Sequence, residues 1–338
     1  MKIGICGATG YSGRELVRIL LCHPKVEIAF LSSEQFSGKP FSDVFPEFRS
    51  RMDKICQKID SISLNEKLDL VFLALPHTVS MKMAKLFLQQ NIRVIDLSGD
   101  YRLPQELYEK WYHHPHQDAQ NLSKVVYGLS EIFREKIKKA QFISNPGCYP
   151  TSASLGLIPA ISKGWIELEG MVIDAKSGAS GAGRNPSLTM HFCEVYDNIK
   201  AYKIGVHQHT PEIEQILSVV AKKEIHLDFV PHLIPIQQGI LSTMYTRLKK
   251  RVSTSEILAS YLEFYKNDSF IRMLPEGVFP QTADVKGTNF CDIGLHVEER
   301  TQRLIIVSAI DNMVKGAAGQ AVQNMNLMSG FPEVMALQ

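Results

Sequence analysis

The sequence predicts an α/β fold in which a doubly wound parallel sheet is followed by a second domain of mixed α+β structure. In the first part of the chain, short apolar runs typical of strands alternate with helical patterns. That alternation is typical of a parallel sheet flanked by helices. After Cys148 the strands become longer and the alternation is lost, which indicates a change of architecture.

The individual elements follow from these patterns. In chain order, the first part contains a strand at 2–6, a helix at 14–21, strands at 26–32 and 70–75, a helix at 79–89 and a strand at 93–96. The run at 70–75 has no polar alternation, because both faces of a strand are covered in such a sheet. The later part contains a helix at about 151–162, a strand at 170–176, a glycine-rich loop and a long strand at 240–248.

The composition is that of an ordinary globular protein. The chain has 338 residues, 45% of them hydrophobic and 21% charged, with a net charge of +2, so about two domains are expected. A long basic block, a membrane-spanning stretch, a signal peptide and zinc-like cysteine spacing are all missing from the sequence. We therefore expect reduced thiols in the cytoplasm, no bound metal, and no nucleic-acid or membrane partner.

A glycine-rich loop joins the first strand to the first helix. Glycines there permit a tight turn and close approach of the backbone to a pyrophosphate, and the N-terminus of the following helix then faces an anion. A plain turn would also use glycine, but the position between a strand and an amphipathic helix favours a dinucleotide. The predicted cofactor-binding residues of this loop are Gly7, Thr9, Gly10, Tyr11, Ser12 and Gly13.

The end of the second strand favours NADP over NAD. NAD-specific enzymes usually place an acidic residue there to hold the ribose hydroxyls, whereas this strand ends in Ser32 and Ser33. Hydroxyl groups can bind a 2′-phosphate without repelling it, so both serines are predicted to contact NADP. Glu34 follows at once, and Lys39 is a more distant candidate for the phosphate.

Cys148 is the candidate nucleophile, because it follows an Asn-Pro-Gly turn and precedes a helix that opens around Pro150. A thiol at a helix N-terminus faces unpaired N–H groups and the positive end of the helix dipole, which stabilise the thiolate. The same N–H groups could hold an oxyanion. The alternative is a buried cysteine at an ordinary turn. The other cysteines are predicted to be structural: Cys6, Cys22, Cys56, Cys193 and Cys291.

A thiolate beside a nicotinamide indicates interconversion of an acyl group and an aldehyde, since hydride can be added to a thioester or removed from a thiohemiacetal. Motifs along nearly the whole chain resemble the N-acetyl-gamma-glutamyl-phosphate reductase family, a relative of aspartate-semialdehyde dehydrogenase. They lie at 7–13, 74–77, 96–102, 127–129, 145–151, 177–184, 207–213, 231–235 and 311–316. Two positions depart from the family: Gln208 stands where arginine is common, and Thr78 where glycine is common.

The resemblance implies a Rossmann-type domain with an inserted α+β domain for catalysis and dimerisation, as in semialdehyde dehydrogenases. Residues 1–147 and 310–338 then form the NADP-binding domain. Residues 148–309 form the domain that carries substrate groups and subunit contacts. An amphipathic helix at 317–328 is expected to return to the first domain.

The resemblance also extends the set of cofactor-binding residues. It adds Ser177, Gly178, Asn312 and Lys315, with Asn312 near the nicotinamide amide. The alternative reading of Asn312 and Lys315 is a helix N-cap followed by a surface lysine.

The implied reaction is the NADPH-dependent reduction of N-acetyl-L-glutamyl 5-phosphate to the 5-semialdehyde in arginine biosynthesis, with release of phosphate. A thioester on Cys148 receives hydride, and the resulting alkoxide needs a proton, for which histidine is the donor near neutral pH. His207 and His209 are the candidates, and their spacing places them on opposite faces if the segment is extended. His207 matches the acid–base position of the family, so His209 is predicted to support it.

The substrate phosphate requires cationic or N–H donors. Arg102, after a predicted strand end, and Arg184, in the glycine-rich loop, could supply bidentate contacts. A structural ion pair is the alternative for each. Successive N–H groups of that loop could also form an anion-binding nest. Asn145 and Glu212 are further predicted substrate-binding residues, and His77 is expected to support the site without catalysing a step.

Two other functions remain open. One is a reductase of a related acyl phosphate, such as carrier-protein-linked aminoadipyl phosphate or aspartyl phosphate. The other is a non-catalytic NADP-binding regulator, which Cys148 and the paired histidines disfavour. The expected partners are the acyl phosphate and inorganic phosphate, and the resemblance implies a homodimer or homotetramer.

Overall fold

The computed structural model describes residues 1–61 and 67–338. The chain divides into two compact units. The first comprises Met1–Pro146 and Ala317–Gln338, and the second comprises Gly147–Gly316. The chain therefore returns to the first unit at Ala317 rather than at 310. Within the described residues, no helix is both long enough and apolar enough to cross a membrane.

The first unit is built on a parallel sheet, seven-stranded in the part that the structure describes, with the order β3-β2-β1-β4-β5-β7-β6. Its strands are β1 (Lys2–Cys6), β2 (Glu27–Ser32), β3 (Cys56–Gln57), β4 (Leu70–Leu73), β5 (Arg93–Asp96), β6 (Val126–Tyr127) and β7 (Phe142–Ser144). Its helices before residue 147 are α1 (Tyr11–Leu20), α2 (Phe41–Val44), α3 (Val79–Gln89), α4 (Gln105–Tyr112) and α5 (Ser130–Ile137), with 3₁₀ turns at Pro46–Phe48, Ile59–Ser61 and Ala119–Asn121.

The doubly wound α/β architecture predicted from the sequence is confirmed. Strand β1 lies between β2 and β4, so the chain winds to one side of β1 and then to the other. Ligands of such sheets bind outside the carboxyl ends of the strands at this point of reversal. The loop that follows β1 therefore lies where a dinucleotide is expected. Helix α1 begins at Tyr11 rather than at 14, directly after that loop.

The second unit, described throughout, holds a mixed seven-stranded sheet of order β12-β13-β14-β11-β8-β10-β9. Its strands are β8 (Val172–Ser177), β9 (Lys200–Ala201), β10 (Asp228–Leu233), β11 (Ile240–Arg247), β12 (Ile271–Met273), β13 (Cys291–Glu298) and β14 (Arg303–Ile310). Its helices are α6 (Cys148–Ser162), α7 (Phe192–Val195), α8 (His209–Ala221), α9 (Thr254–Phe264) and α10 (Thr282–Val285), with 3₁₀ turns at Ala179–Ala182 and Leu188–Met190 and a π-helix at Val314–Ala318.

Helix α6 forms the core of the second unit. It packs against β11 and β14 and is buried on all sides from Tyr149 to Ile161. The helix begins at Cys148 rather than at 151, so the cysteine is its first residue. Strand β11 alternates between buried and half-buried side chains, because one face of the sheet is covered by helices.

The last helix, α11 (Gly319–Met328), belongs to the first unit. The prediction that it is amphipathic is wrong, because every residue from Gly319 to Met328 is buried. Its polar side chains are accommodated by hydrogen bonds: Gln320 and Asn324 both donate to the carbonyl oxygen of Gly128, at 2.9 and 2.8 Å. The helix therefore packs as a core element whose polar groups bind neighbouring loops.

Candidate active site

The loop after β1 contains two glycines that the backbone itself requires. Gly7 has a φ of +78°, and a Cβ there would lie 2.2 Å from the carbonyl oxygen of Ala74. A Cβ on Gly13 would lie 2.3 Å from the carbonyl oxygen of Gly7. Gly10 differs, because a Cβ there would meet the same oxygen at 3.5 Å, an ordinary van der Waals contact. Packing within the chain therefore explains Gly7 and Gly13 but leaves Gly10 to another cause.

The start of α1 fits a dinucleotide pyrophosphate. Gly10 is the N-cap of this helix, and among the described side chains none forms a capping hydrogen bond there or places an acid in the first turn. The N–H groups of Tyr11, Ser12 and Gly13 have no partner within the helix, and Tyr11 and Ser12 are only half-buried. An anion that approaches the glycine backbone here would accept hydrogen bonds from these N–H groups.

The two serines at the end of β2 are buried and hold the loop. The Ser32 hydroxyl accepts the N–H of Gly7 at 3.1 Å. The Ser33 hydroxyl shares a hydrogen bond with that of Thr9 at 2.7 Å and accepts the N–H of Phe36 at 3.2 Å. Each serine therefore holds the glycine-rich loop in place from the end of β2. The predicted contact of the serines with a 2′-phosphate would be a second role. Lys39 is exposed nearby in sequence.

Cys148 is the first residue of α6, and its side chain is half-buried. The preceding Gly147 is the N-cap, and its N–H donates to Oε1 of Glu212 at 2.8 Å. Both the N–H and the hydroxyl of Thr151 donate to the carbonyl oxygen of Gly147, each at 2.9 Å. The turn before the cysteine is therefore fixed on both sides. The sulfur lies at the positive end of a 15-residue helix, which favours its thiolate.

The two histidines lie together, because the segment is not extended as the prediction of opposite faces required. Gln208 has helical dihedral angles, φ −61° and ψ −17°, and α8 begins at His209. The segment therefore turns at the point where an extended strand was assumed. The ring centroids of His207 and His209 are 4.8 Å apart, and both rings meet Tyr149 edge-on at 5.7 and 5.9 Å. Tyr149 directly follows Cys148, which connects the histidine pair to the nucleophile.

His207 is neutral and carries its proton on Nε2. Its Nδ1 accepts the N–H of His209 at 3.0 Å, so the ring proton must lie on the other nitrogen. Burial, and next the charges of His209 and Lys203, lowers the pKa of His207 to about 2. The imidazole can therefore donate a hydrogen bond at neutral pH without being a cation.

Tyr149 and Tyr202 are site residues that the sequence reasoning missed. Their hydroxyls are 3.2 Å apart, and that of Tyr149 also donates to the carbonyl oxygen of His232 at 3.3 Å. Burial raises the pKa of both phenols, to about 12 for Tyr202, and the charge of Cys148 adds to both increases. Both hydroxyls therefore stay protonated. Tyr149 lies within a quoted motif, but Tyr202 lies outside all of them.

The predicted anion-binding nest in the glycine-rich loop is wrong. The N–H groups of Gly178, Ala179 and Ser180 donate to the carbonyl oxygens of Gly239, Ile236 and Gln237, at 2.9, 2.9 and 3.0 Å. Since these donors are used by a neighbouring loop, they are not aimed at a ligand. Ser177 is buried and its hydroxyl donates to the carbonyl oxygen of Gly178 at 3.1 Å. Arg184, at the end of the loop, is exposed.

Asn312 and Lys315 are buried, so the surface-lysine alternative is wrong. Oδ1 of Asn312 accepts the N–H of Gly239 at 2.8 Å, and Nδ2 donates to the Ser180 hydroxyl at 2.9 Å. Asn312 therefore joins two loops rather than capping a helix. Lys315 is fully buried, with Nζ 5.6 Å from the ring centroid of Phe270.

Arg102 and Asn145 lie in the first unit, at the carboxyl ends of β5 and β7. The Arg102 guanidinium donates to the carbonyl oxygens of Asn145 and Leu97, at 2.9 and 2.8 Å. The Asn145 amide donates to the carbonyl oxygen of Ala317 at 3.1 Å and accepts from Asn324 at 3.1 Å. Both side chains therefore hold the strand-end loops that precede the nucleophile.

The two departures from the family pattern have different settings. Thr78 has a φ of 69°, in the left-handed region that favours glycine, and its N–H donates to buried Asp100 at 2.9 Å. Nδ1 of the half-exposed His77 lies 3.4 Å from the same carboxylate, so His77 supports this turn. Gln208 accepts a hydrogen bond from Lys203 at 3.2 Å.

Comparison with known proteins places the two units in one enzyme class. Residues 2–140 match the family described as semialdehyde dehydrogenase, NAD binding domain, and residues 148–312 match semialdehyde dehydrogenase, dimerisation domain. Among solved structures, aspartate semialdehyde dehydrogenase II from Vibrio cholerae has a TM-score of 0.75 at 16% identity and covers 97% of this chain and 98% of its own. The enzyme from Candida albicans, solved with NADP, has a TM-score of 0.72 at 19% identity with the same coverage.

Two curated relatives match at much higher identity. N-acetyl-gamma-glutamyl-phosphate reductase from Geobacter metallireducens is 51% identical over 340 residues, and the protein of that name from Alkaliphilus metalliredigens is 50% identical over 339 residues. Each alignment covers 100% of this chain and 98% of the relative. The chain therefore belongs to the N-acetyl-gamma-glutamyl-phosphate reductase family.

Proposed function

We propose that this chain reduces N-acetyl-L-glutamyl 5-phosphate to N-acetyl-L-glutamate 5-semialdehyde, with NADPH as reductant and release of phosphate, in arginine biosynthesis. The observation that supports this most strongly is the position of Cys148 at the first turn of α6, with Tyr149 joining it to the His207–His209 pair. A simple alcohol dehydrogenase needs no such thiolate. Full-length identity to reductases of this name supports the same substrate.

The cofactor is assigned to the first unit. The start of α1 holds the pyrophosphate through the N–H groups of Tyr11, Ser12 and Gly13, and Gly10 leaves room for it. Ser32, Ser33 and Thr9 hold the loop from the side of β2. When bound, NADPH supplies the hydride. Asn312 and Lys315, in the second unit, are proposed as further cofactor-binding residues, and Asn312 is held within that unit by Gly239 and Ser180.

The covalent steps follow from the helix terminus. The Cys148 thiolate attacks the acyl carbon, a C–S bond forms, and the C–O bond to phosphate breaks, so that inorganic phosphate leaves with the electron pair. Hydride addition to the thioester carbon gives a tetrahedral alkoxide. Its collapse breaks the C–S bond, releases the aldehyde and regenerates the thiolate. The positive end of the α6 dipole is proposed to stabilise both the thiolate and the developing oxyanion.

His207 is proposed to control the proton at the substrate oxygen. Its neutral ring has a donor at Nε2, because Nδ1 is occupied by the N–H of His209. A neutral donor binds the alkoxide without forming a stable ion pair that would delay collapse. In the reverse direction, addition of the Cys148 thiolate to the aldehyde forms the same alkoxide directly, and Nε2–H donates the same hydrogen bond to it. His209 is proposed to fix the orientation of His207.

The substrate residues are proposed as a supporting set. Arg102 and Asn145 shape the strand ends from which the Cys148 turn begins, and Arg102 is proposed to contact the phosphate. Glu212 fixes the Cys148 turn through Gly147. Arg184 is proposed to bind phosphate from its exposed loop. We also propose that the chain works as a homodimer or homotetramer in the cytoplasm, where its cysteines, none of which forms a disulfide, stay reduced.

One assay tests substrate, cofactor and reaction together. The enzyme is incubated with N-acetylglutamate semialdehyde, phosphate and NADP⁺, and the absorbance of the reduced cofactor is followed. We expect reduction of NADP⁺ that depends on phosphate. Aspartate semialdehyde serves as the matched substrate control and is expected to react far more slowly. Faster reaction with aspartate semialdehyde, or none with either aldehyde, would overturn the assignment.

A further inference from the structure

The segment 188–206 of the second unit exposes an unusual run of apolar side chains. Its exposed large hydrophobic residues are Leu188 (89% exposed), Phe192 (70%), Tyr196 (66%), Ile199 (66%), Ile204 (59%) and Val206 (64%). The rings of Phe192 and Tyr196 stack on one another at 5.0 Å. Single exposed hydrophobic residues are normal, whereas such a cluster marks a binding surface.

The segment 188–206 buries few of its side chains against the rest of the second unit. Neither the turn Leu188–Met190 nor helix α7 contains a buried residue in this fully described region. Strand β9 pairs with β10 through only two residue pairs, at one edge of the sheet. Apolar surface left in water is unfavourable. Packing within one chain therefore does not explain why these exposed positions carry large apolar side chains.

We propose that the apolar surface formed by 188–206 binds a second copy of the same chain. The match of residues 148–312 to a dimerisation domain supports this occupant, and aromatic residues are enriched at the centres of protein interfaces. A two-fold axis would bring the same surface from both copies together. This inference rests on the proposed homo-oligomer.

Sedimentation velocity across a dilution series tests the surface. The double variant Phe192→Asp, Tyr196→Asp places two charges on it, whereas Leu262→Asp, at a side chain 51% exposed on α9, is the matched control. We expect the parent and the control to sediment as oligomers, and the double variant to lose at least one association step. Sedimentation of the double variant like the parent would overturn the proposal, as would a monomeric parent.

Hydrogen exchange of the unmutated protein gives a second test that no folding defect can disturb. Amides of 188–206 are expected to be protected at high protein concentration and to lose protection on dilution below the dissociation constant of the oligomer. Protection that stays the same while the oligomer dissociates would contradict the proposal. Neither experiment depends on catalysis, so failure of the proposed reaction is distinguishable from failure of the surface.

A separate observation concerns Gly316, which packs closely against Cys148. Its N–H donates to the carbonyl oxygen of Asp311 at 2.9 Å within the π-helix region Val314–Ala318. A Cβ on Gly316 would lie 2.7 Å from Cβ and 3.2 Å from Cα of Cys148. These atoms belong to the backbone and first side-chain atom of a helix, so they cannot move without moving the sulfur.

The turn that carries Gly316 is itself fixed. Asp311 is fully buried. Its Oδ1 accepts the N–H groups of Met313 and Val314 at 2.7 and 3.2 Å, and its Oδ2 accepts the N–H of Gly287 at 2.7 Å. Three charge-assisted hydrogen bonds therefore hold the turn against α6. π-Helical turns are frequent at functional sites.

The geometry points to Gly316 as a positioning residue for the Cys148 thiolate, given the proposed covalent reaction. Gly316→Ala should shift Cys148 and lower kcat by roughly 10- to 100-fold, since a displacement of about 1 Å can cost that much. KM should change little. The distinguishing readout is the pH profile of Cys148 alkylation, which should change in its midpoint or its limiting rate.

Gly156→Ala is the matched control, because it adds a methyl on the same helix, where a Cβ would meet the flexible end of Met244 at 2.6 Å. We expect it to keep the parental alkylation profile. If Gly316→Ala fails to fold, Asp311→Asn, which weakens the turn without adding volume, should alter the profile. A parental profile in whichever folded variant is measured would overturn the inference. Alkylation needs no substrate, so the result stands apart from the reaction assay.

Discussion

Two helix N-termini in this chain have similar sequence features but different surroundings. Helices α1 and α6 each begin after a glycine N-cap, and in neither, among the described residues, does a side chain cap the helix or an acid occupy the first turn. At α1 a Cβ on Gly10 would still have 3.5 Å of room, whereas at α6 Gly316 leaves no room for a Cβ beside Cys148. One positive helix end is left open for an external anion, and the other is closed around an anion of the chain itself.

The comparison teaches that the surrounding packing decides how a helix dipole is used. At α1 the supporting contacts come from Ser32 and Ser33, behind the loop. At α6 they come from Glu212 and from the turn after Asp311, and they fix the nucleophile itself. We therefore expect changes at α6 to reduce turnover and changes at α1 to reduce cofactor affinity.

The largest effect is expected from removal of the Cys148 thiolate at the start of α6. Cys148→Ser should abolish turnover, because a hydroxyl at this helix end is not ionised near neutral pH, while NADPH affinity should stay within a few-fold. Steady-state kinetics and fluorescence titration of NADPH measure the two quantities. Cys22→Ser, at an exposed cysteine of the first unit, is the control. Parental rates in Cys148→Ser would refute covalent catalysis.

The next effect separates the histidines. His207→Asn should lower turnover by roughly 10²- to 10⁴-fold, the usual range for loss of an acid–base group, with NADPH binding nearly unchanged. The reverse reaction should keep the limb of its pH profile that reflects the Cys148 thiolate, because a group with a pKa of about 2 does not titrate in the assay range. His209→Asn should have the smaller effect. If His209→Asn is the more damaging of the two, the roles of the two residues are exchanged.

A smaller effect links His207 to acid stability. Its pKa falls from 6.5 to about 2 on folding, so below pH 6.5 the unfolded chain binds a proton that the folded chain does not. Stability from this group is therefore present above pH 6.5 and is lost as the pH falls, by about 2 kcal/mol at pH 5. Denaturant unfolding at several pH values should show a shallower acid loss in His207→Asn.

The control for this measurement is His114→Asn, which removes an exposed imidazole from the first unit. It should follow the parent at each pH. Identical acid loss in the parent and His207→Asn would show that His207 is not buried as a neutral ring in solution.

The smallest effect lies at α1. Gly10→Ala places a methyl where the chain has room, at an ordinary φ of −73°. Stability should change by less than about 1 kcal/mol, because the lower entropy of the unfolded chain offsets the poorer N-cap that alanine makes. NADPH should bind about tenfold more weakly, or about 1.4 kcal/mol, because the methyl takes space meant for the pyrophosphate. Gly13→Ala should instead destabilise the fold. Unchanged NADPH affinity in Gly10→Ala would remove the start of α1 from the cofactor site.

Features that depend on neighbouring residues in the chain could be predicted from the sequence. The loop from Gly7 to Gly13 and the helix start at Cys148 are both read from a strand, a turn and a helix in direct succession. The strands β1, β4 and β5 were also predicted closely, because buried parallel strands are continuous apolar runs. These elements were sufficient for the fold class.

Features that depend on distant segments could not be predicted. The loop at Gly178 loses its free N–H groups because it pairs with carbonyl oxygens near Gly239, a contact that local sequence does not indicate. The turn at Gln208 brings two histidines together where alternation suggested separation. Tyr202 contacts Tyr149, and Gly316 packs against Cys148. Both contacts join residues far apart in the sequence, so only the structure shows them.

Trapping the acyl-enzyme tests the central claim most directly. The enzyme is mixed with N-acetylglutamyl phosphate without NADPH, quenched rapidly in acid, and analysed by intact-mass and peptide mass spectrometry. We predict one N-acetylglutamyl group on the peptide that contains Cys148, lost on addition of NADPH and never formed in Cys148→Ser. Steady turnover in an enzyme that carries no acyl group on Cys148 at any quench time would contradict the account.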